Sequence, residues 1–311
     1  MKVLFHGAGA LGGYFGGRML EAGYNVSYLV RERRAEQLRK EGLKIHSPAG
    51  DYENKEVKLY TSTEEIEEMD LIILAVKGYH LQQAIPQIKV IAQRTGAFVL
   101  PLLNGMEHIQ QLREAVGIEK VLGGFASIIA TLNDKGHVIH SNKGSAIKFG
   151  ALHEAQVGIC EKLEEINHDI QAAILREDDI LKHMWKKYIF ITAFSGVTSA
   201  TKLPAGFIAN IEATYRVARN VVLEMSQLAG KEGISFSEEE VDKIVSSMRG
   251  LAKEATSSMH QDLRKGLPIE VEHLHGGALR MAAKHDLQLP VIETLYGLLK
   301  PYENGEPNNR Q

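Results

Sequence analysis

The chain has a single cysteine, Cys160, among 311 residues. One thiol excludes an intramolecular disulfide framework and points to a reducing compartment. The sequence also lacks any apolar run approaching the roughly 20 residues that span a bilayer. It opens on a strand pattern where a secretory leader would place a basic segment, so a cytoplasmic protein is expected. An excess of either charge is missing as well, since 36 Lys and Arg against 39 Asp and Glu leave a net charge of -3. That balance gives no global pull toward nucleic acid or an anionic membrane, so partners must be argued from local sites. No repeat at solenoid spacing and no low-complexity segment occurs. The 13 histidines lack metal-ligand spacing. His273 and His275, two apart on an expected helix, diverge by about 200°, while His80, His260 and His285 are scattered, so no metal is expected.

What is present is ordinary globular composition, 44% hydrophobic and 24% charged, with length enough for two domains. The strongest signal comes first. Met1–His6 reads as a buried strand and runs into Gly7-Ala8-Gly9-Ala10-Leu11-Gly12, a G-x-G-x-x-G in strand–turn–helix context. Gly7 permits the turn, Gly9 lets a pyrophosphate approach the backbone, and Gly12 lets the helix pack on the strand. The positive helix N-terminus then faces the phosphates.

Strand-like runs and helical patterns alternate through the first half. Val3–His6, a helix over 11–22 closed by Gly23, and Asn25–Leu29 form a βαβ unit, and further strands are expected at 70–76 and 97–103. The class is therefore α/β, an N-terminal Rossmann-type doubly wound parallel sheet. Residues 43–46 and 57–60 flank Ser47-Pro48-Ala49-Gly50 and read as an inserted hairpin, and residues 121–150 as an antiparallel extension of the sheet. From about Asp178 the pattern is nearly all helical. Domain boundaries follow at 1–177 for the dinucleotide-binding domain and 178–303 for a helical domain, with 304–311 a polar, frayed tail.

At the end of the second strand an acidic residue would accept the 2′-OH of NAD, and an arginine would take a 2′-phosphate. Arg31 comes first, with Arg33 and Arg34 behind it, so NADPH is favoured; Glu32 is the dissenting residue. In the second half Lys187, Ile191 and Ser195 recur every four residues and share one helical face within about 80°. Lys187 heads the apolar stretch Tyr188–Phe194, where desolvation would depress its ammonium and make it a proton donor near neutrality. Taken alone, a lysine beside Trp185 and Lys186 is more often a snorkelling surface residue. Lys77 and Asn104-Gly105 lie just past strand carboxyl ends, where a doubly wound sheet binds its ligand. Pro268 suits the first turn of a further helix, with Glu270 near its start.

The ordered set Gly7–Gly12, Ala75-Val76-Lys77, Leu103-Asn104-Gly105-Met106, Trp185-Lys186-Lys187 and Ser257-Ser258-Met259-x-Gln261-Asp262 with Glu270 resembles the ketopantoate reductase (2-dehydropantoate 2-reductase) family. The resemblance runs from Met1 to about Pro301. It implies an all-helical C-terminal domain similar to that of 6-phosphogluconate dehydrogenase relatives and an active site in the cleft between the two domains. It further implies that NADPH reduces a 2-oxo acid while Lys187 protonates the developing alkoxide. Glu270 would orient Lys187 or hold a substrate hydroxyl, Lys77 and Asn104 would line the nicotinamide side, and Ser258 would help bind the substrate carboxylate. Where the family places asparagines, this chain has Ile191, Ser195 and Ala205. Isoleucine cannot hydrogen-bond, so either Ser195 and Ser199 meet the ketopantoate hydroxyl or the substrate is a more apolar 2-oxo acid. A non-catalytic NADPH sensor is the remaining alternative, and the helical faces would suit a homodimer.

Overall fold

The computed structural model of the chain describes residues 1–142, 144–168 and 170–307. The chain forms two compact units, Met1–Leu103 with His108–Ile180, and Asn104–Glu107 with Leu181–Gln311. In chain order the first contains β1 (Lys2–His6), α1 (Ala10–Glu21), β2 (Asn25–Leu29), α2 (Glu32–Glu41), β3 (Leu43–His46), β4 (Tyr52–Asn54), β5 (Lys58–Tyr60) and β6 (Leu71–Leu74). Next come α3 (Leu81–Thr95), β7 (Phe98–Pro101), α4 (Glu107–Val116), β8 (Gly123–Ser127), β9 (Ala130–Leu132), β10 (Val138–His140), β11 (Ala146–Gly150), α5 (Val157–Glu164) and β12 (Ala173–Arg176).

The main sheet has the order β5-β2-β1-β6-β7, with every neighbouring pair parallel. The central strands β1 and β6 are apolar without alternation: Val3, Leu4, Phe5 and all of Leu71–Leu74 are buried, as strands covered on both faces must be. Phe5, Phe15, Tyr28 and Leu100 belong to the cluster that fills this unit. The chain winds outward from β1 through β2 to β5, then reverses through β6 to β7. The carboxyl ends of β1 and β6 therefore mark the topological switch point, where ligands of such sheets bind.

Two expectations need correction. The hairpin partner of β3 is Tyr52–Asn54, paired antiparallel from Leu43↔Asn54 to Ile45↔Tyr52. The segment expected there, 57–60, instead supplies β5, the edge strand beside β2. The nearer strand closes the shorter loop, which costs less chain entropy. Residues 121–150 likewise add no antiparallel extension to the main sheet, which Val121 meets in an isolated parallel bridge to Val99 of β7. They divide between a sheet ordered β4-β3-β10-β9 and one ordered β12-β11-β8, because β10 finds a parallel partner in β3 and β11 one in β12.

The second unit is built from α6 (Ile180–Thr201), α7 (Ala205–Asn210), α8 (Glu212–Lys231), α9 (Glu238–Ser247), α10 (Ser258–Arg264), α11 (Gly277–Ala283) and α12 (Pro290–Leu299). A π-helical turn, Glu272–Gly276, leads into α11. Most of α6 from Tyr188 to Ser199 is buried, which marks it as the central helix. Pro268 falls in the loop ahead of the π-helical turn and not in a first helical turn, so Glu270 ends that loop and its carbonyl accepts from Leu274 N (2.9 Å). In the stretch expected to be frayed, Gly305 is buried and its N donates to the Tyr302 carbonyl (3.0 Å), while 308–311 lie outside the described residues.

No local side chain caps α12. Glu224, buried on α8, reaches it instead and accepts from Val291 N (2.8 Å) and Ile292 N (2.9 Å). A carboxylate on two orphan amides at a positive helix end is a strong arrangement. Glu224→Ala is expected to lower stability by about 2 kcal/mol in urea unfolding, with Glu224→Gln losing less.

Candidate active site

Gly7 follows β1 with φ +103°, and a Cβ added to it would lie 2.9 Å from the Ala75 carbonyl oxygen beyond β6. A Cβ on Gly12 would lie only 2.1 Å from the Gly7 carbonyl oxygen, so the first turn of α1 rests directly on the strand-to-helix turn. Gly9 differs. It is the N-cap of α1 without a side-chain cap bond, no acidic residue stands in the first turn, and a Cβ there would meet nothing within 4 Å. The leading amides of Ala10, Leu11 and Gly12 thus end in open, positively biased space, which fits a diphosphate. The buried Ala8 is held from behind, since Arg34 Nε donates to its carbonyl (2.9 Å) and Arg34 Nη1 to the Gly136 carbonyl (3.0 Å). The sequence groups Arg34 with Arg31 as a charge favouring NADPH; the fold turns it to the Ala8 and Gly136 carbonyls instead.

Arg31 ends the loop after β2 and is exposed. Its Nη2 donates to Gln83 Oε1 (2.7 Å) and to His80 Nδ1 (3.2 Å). Because a guanidinium only donates, the Nδ1 of His80 accepts and the ring proton sits on Nε2. Burial first, then the Arg31 charge, lowers the His80 imidazolium below its usual range. Glu32, the competitor for a ribose hydroxyl, is exposed and paired with Arg39 (2.8 Å). Lys77 is half-buried beyond β6 and leads into the turn that carries His80.

The other group of expected residues belongs to the helical unit. Lys187 on α6 is half-buried, and burial pushes its ammonium down to about 8, with the Glu270 charge pulling it back up. Glu270 itself is buried. The Asn104-Gly105 turn groups with this unit, and a Cβ on Gly105 (φ +85°) would lie 3.0 Å from the His273 carbonyl oxygen, three residues past Glu270. Ser195 is fully buried, and its Oγ has no hydrogen-bond partner among the described residues. Ile191 is half-buried and Ala205 buried. Ser258 is exposed as the first residue of α10; the buried hydroxyl is that of Ser257, which accepts from His260 N (3.1 Å) and meets Thr198 Oγ1 (3.1 Å). His275 is enclosed against α6 and pushed down to about 4 by burial, so it is neutral. Among the described residues no group of three or more His, Cys, Asp or Glu is placed to hold a metal ion.

An ammonium lowered to about 8 and a glycine-lined helix N-terminus open at Gly9 are features that a nicotinamide-dependent carbonyl reductase would use. Comparison with known proteins agrees. The family model described as Ketopantoate reductase PanE/ApbA matches residues 3–154, and that of the C-terminal part of the same family matches residues 179–303. The chain is 35% identical over 303 residues to the Uncharacterized oxidoreductase YkpB of Bacillus subtilis (strain 168), covering 97% of this chain and 99% of the relative. Among solved structures it is similar to the 2-dehydropantoate 2-reductase of Geobacter metallireducens GS-15, at TM-score 0.86 and 26% identity, covering 96% of this chain and 99% of that one. A D-mandelate dehydrogenase solved with NADH and anilino(oxo)acetate shares the fold at TM-score 0.88 and 21% identity, covering 97% and 98%.

The glycines can be separated by experiment. Gly9→Val fills the open space before α1 and is expected to abolish dinucleotide binding, followed by calorimetric titration, at little cost in melting temperature. Gly12→Ala should lower both, since its methyl has to displace backbone.

Proposed function

The chain belongs to the ketopantoate reductase family, and on that premise we propose that it is a cytoplasmic enzyme reducing 2-dehydropantoate to pantoate with NADPH. The family supports the coarser reaction, nicotinamide-dependent reduction of a 2-oxo acid. The observation that carries the proposal is Lys187, an ammonium lowered to about 8 beside a buried carboxylate. When bound, the nicotinamide supplies hydride to the ketone carbon. Charge then builds on the former carbonyl oxygen; the Lys187 ammonium stabilises it and passes it a proton. Glu270 keeps the lysine protonated and orients it, Asn104 and the α10 end at Ser258 hold the substrate's polar groups, and Ser195 offers a buried hydroxyl. Gly7, Ala8, Gly9, Ala10, Leu11 and Gly12 bind the diphosphate, and Lys77 lies toward the nicotinamide side.

The choice of NADPH rests on Arg31, whose guanidinium stands exposed after β2 with His80 and Gln83 as neutral partners, while Glu32 is drawn off by Arg39. A second reading has a specific motive. Ile191 and Ala205 stand where the resemblance leads one to expect asparagine, and they favour a 2-oxo acid with an apolar tail. A sensor without catalysis would have no use for the Lys187–Glu270 pair.

NADPH oxidation followed with a panel of branched and aromatic 2-oxo acids tests the reading. Lys187→Ala should lower kcat by about 10³-fold, within the range for loss of a general acid. Reduction needs the protonated lysine, so its rate should fall as pH rises through about 8. Oxidation of the 2-hydroxy acid needs the free amine and should rise through the same range. Glu270→Gln removes the charge that raises the lysine, so both limbs should move to lower pH. No turnover of any 2-oxo acid would sink the enzymatic account.

Arg31→Ala should weaken NADPH binding about 10- to 100-fold, the worth of one charge-assisted contact, and NADH binding hardly at all. Equal losses for the two cofactors would remove the 2′-phosphate assignment.

A further inference from the structure

Three residues given roles in the reaction are each followed closely by a member of one network within the helical unit, and Arg280 stands at its centre. On α11, Arg280 grips Glu107 fork on fork, Nε to Oε1 at 3.0 Å and Nη2 to Oε2 at 2.7 Å. The same guanidinium binds Glu272 Oε1 through Nη1 and the Glu272 carbonyl through Nη2 (3.1 Å). Glu272 Oε2 in turn accepts from Tyr296 OH (2.7 Å) and Lys300 Nζ (2.5 Å). Glu107 lies three residues past Asn104, and Glu272 two past Glu270. The third connection passes through Tyr188, the neighbour of Lys187. Its hydroxyl donates to the Leu274 carbonyl inside the π-helical turn (2.6 Å). Gly277 leaves room where these parts meet, since a Cβ there would lie 2.9 Å from Glu107 Oε2 and 3.4 Å from Tyr188 OH.

An ion pair between solvent-facing chains would contribute little, and Arg280 is 47% exposed. Its partner Glu107 is only 16% exposed, however, and one guanidinium satisfies two carboxylates and a backbone carbonyl at once. Lysine could not reproduce that planar grip. The π-helical turn is itself an unusual winding, of a kind frequent at functional sites, and Arg280 holds its first carbonyl.

We propose that Arg280 is a positioning residue of the reaction, fixing Asn104 through Glu107 and the Glu270 segment through Glu272, with Tyr188 tying Lys187 to the same turn. It touches no reacting atom. The proposal rests on the reading of Lys187 and Glu270 given above.

The test uses Arg280→Gln, Arg280→Lys and Glu107→Gln in the full chain. Misplacement of a catalytic group by about 1 Å can cost on the order of 100-fold, so Arg280→Gln should lower kcat by that order while leaving the KM for NADPH unchanged. Arg280→Lys should recover only part of the loss. Glu107→Gln should add little on top of Arg280→Gln, because the two act as one unit. A second readout does not need turnover: the titration of Lys187, followed by NMR of the reductively methylated protein, should shift in Arg280→Gln. A lysine titration and a kcat both unchanged in a folded Arg280→Gln protein would overturn the proposal. If the wild type reduces no 2-oxo acid, the functional reading falls separately, and the Lys187 titration still decides whether Arg280 governs it.

Discussion

The enclosed ammonium of Lys187 is the constraint on which the helical unit turns. Holding it at about 8 instead of the usual 10.5 costs the folded state on the order of 3 kcal/mol at neutral pH. The sign follows from linkage: the unfolded chain binds the proton more tightly, so the cost is full below about 8 and fades as pH rises toward 10.5. A solvated lysine at this place would be cheaper and far more basic. Glu270 recovers part of the cost and favours the charged form at neutral pH. Glu270 is buried, while Lys187 is half-buried.

The two units solve different electrostatic problems. At the switch point of the parallel sheet, backbone amides of α1 offer partial positive charge without a cationic side chain, and glycine keeps the approach open. Arg34 holds that turn by its carbonyl from behind, which leaves the amide side free. In the helical unit, formal charges lie partly or wholly buried and need partners. Arg280, Glu107, Glu272 and Lys300 supply these for one another, and Glu224 serves the amides of α12.

Much of this was legible in the sequence where the signal was local. The β1–α1–β2 unit, β6, β7 and the long α6 follow from apolar runs and helical spacing, and the glycine turn follows from a motif with a physical mechanism. Lys187 was legible as a candidate because it heads an apolar helix. Signals failed where pairing is non-local. Nothing in Lys58–Tyr60 distinguishes a hairpin arm from a sheet edge, and β12 has no periodicity long enough to register. Glu107, Glu224 and Arg280 carry no local signal, since Glu107 and Arg280 lie 173 residues apart and Glu224 reaches Val291 67 residues on. At α10 the motif drew attention to Ser258, whereas the side chain turned inward is its neighbour.

The excursion of Asn104–Glu107 into the helical unit bears on the order in which the polypeptide can mature. Glu107 leaves the ribosome long before Arg280 is made. A nascent or proteolysed fragment ending near Ile180 therefore carries an acidic residue whose counterion does not yet exist. The fork-on-fork grip on Glu107 therefore forms only once the carboxyl-terminal helices are made.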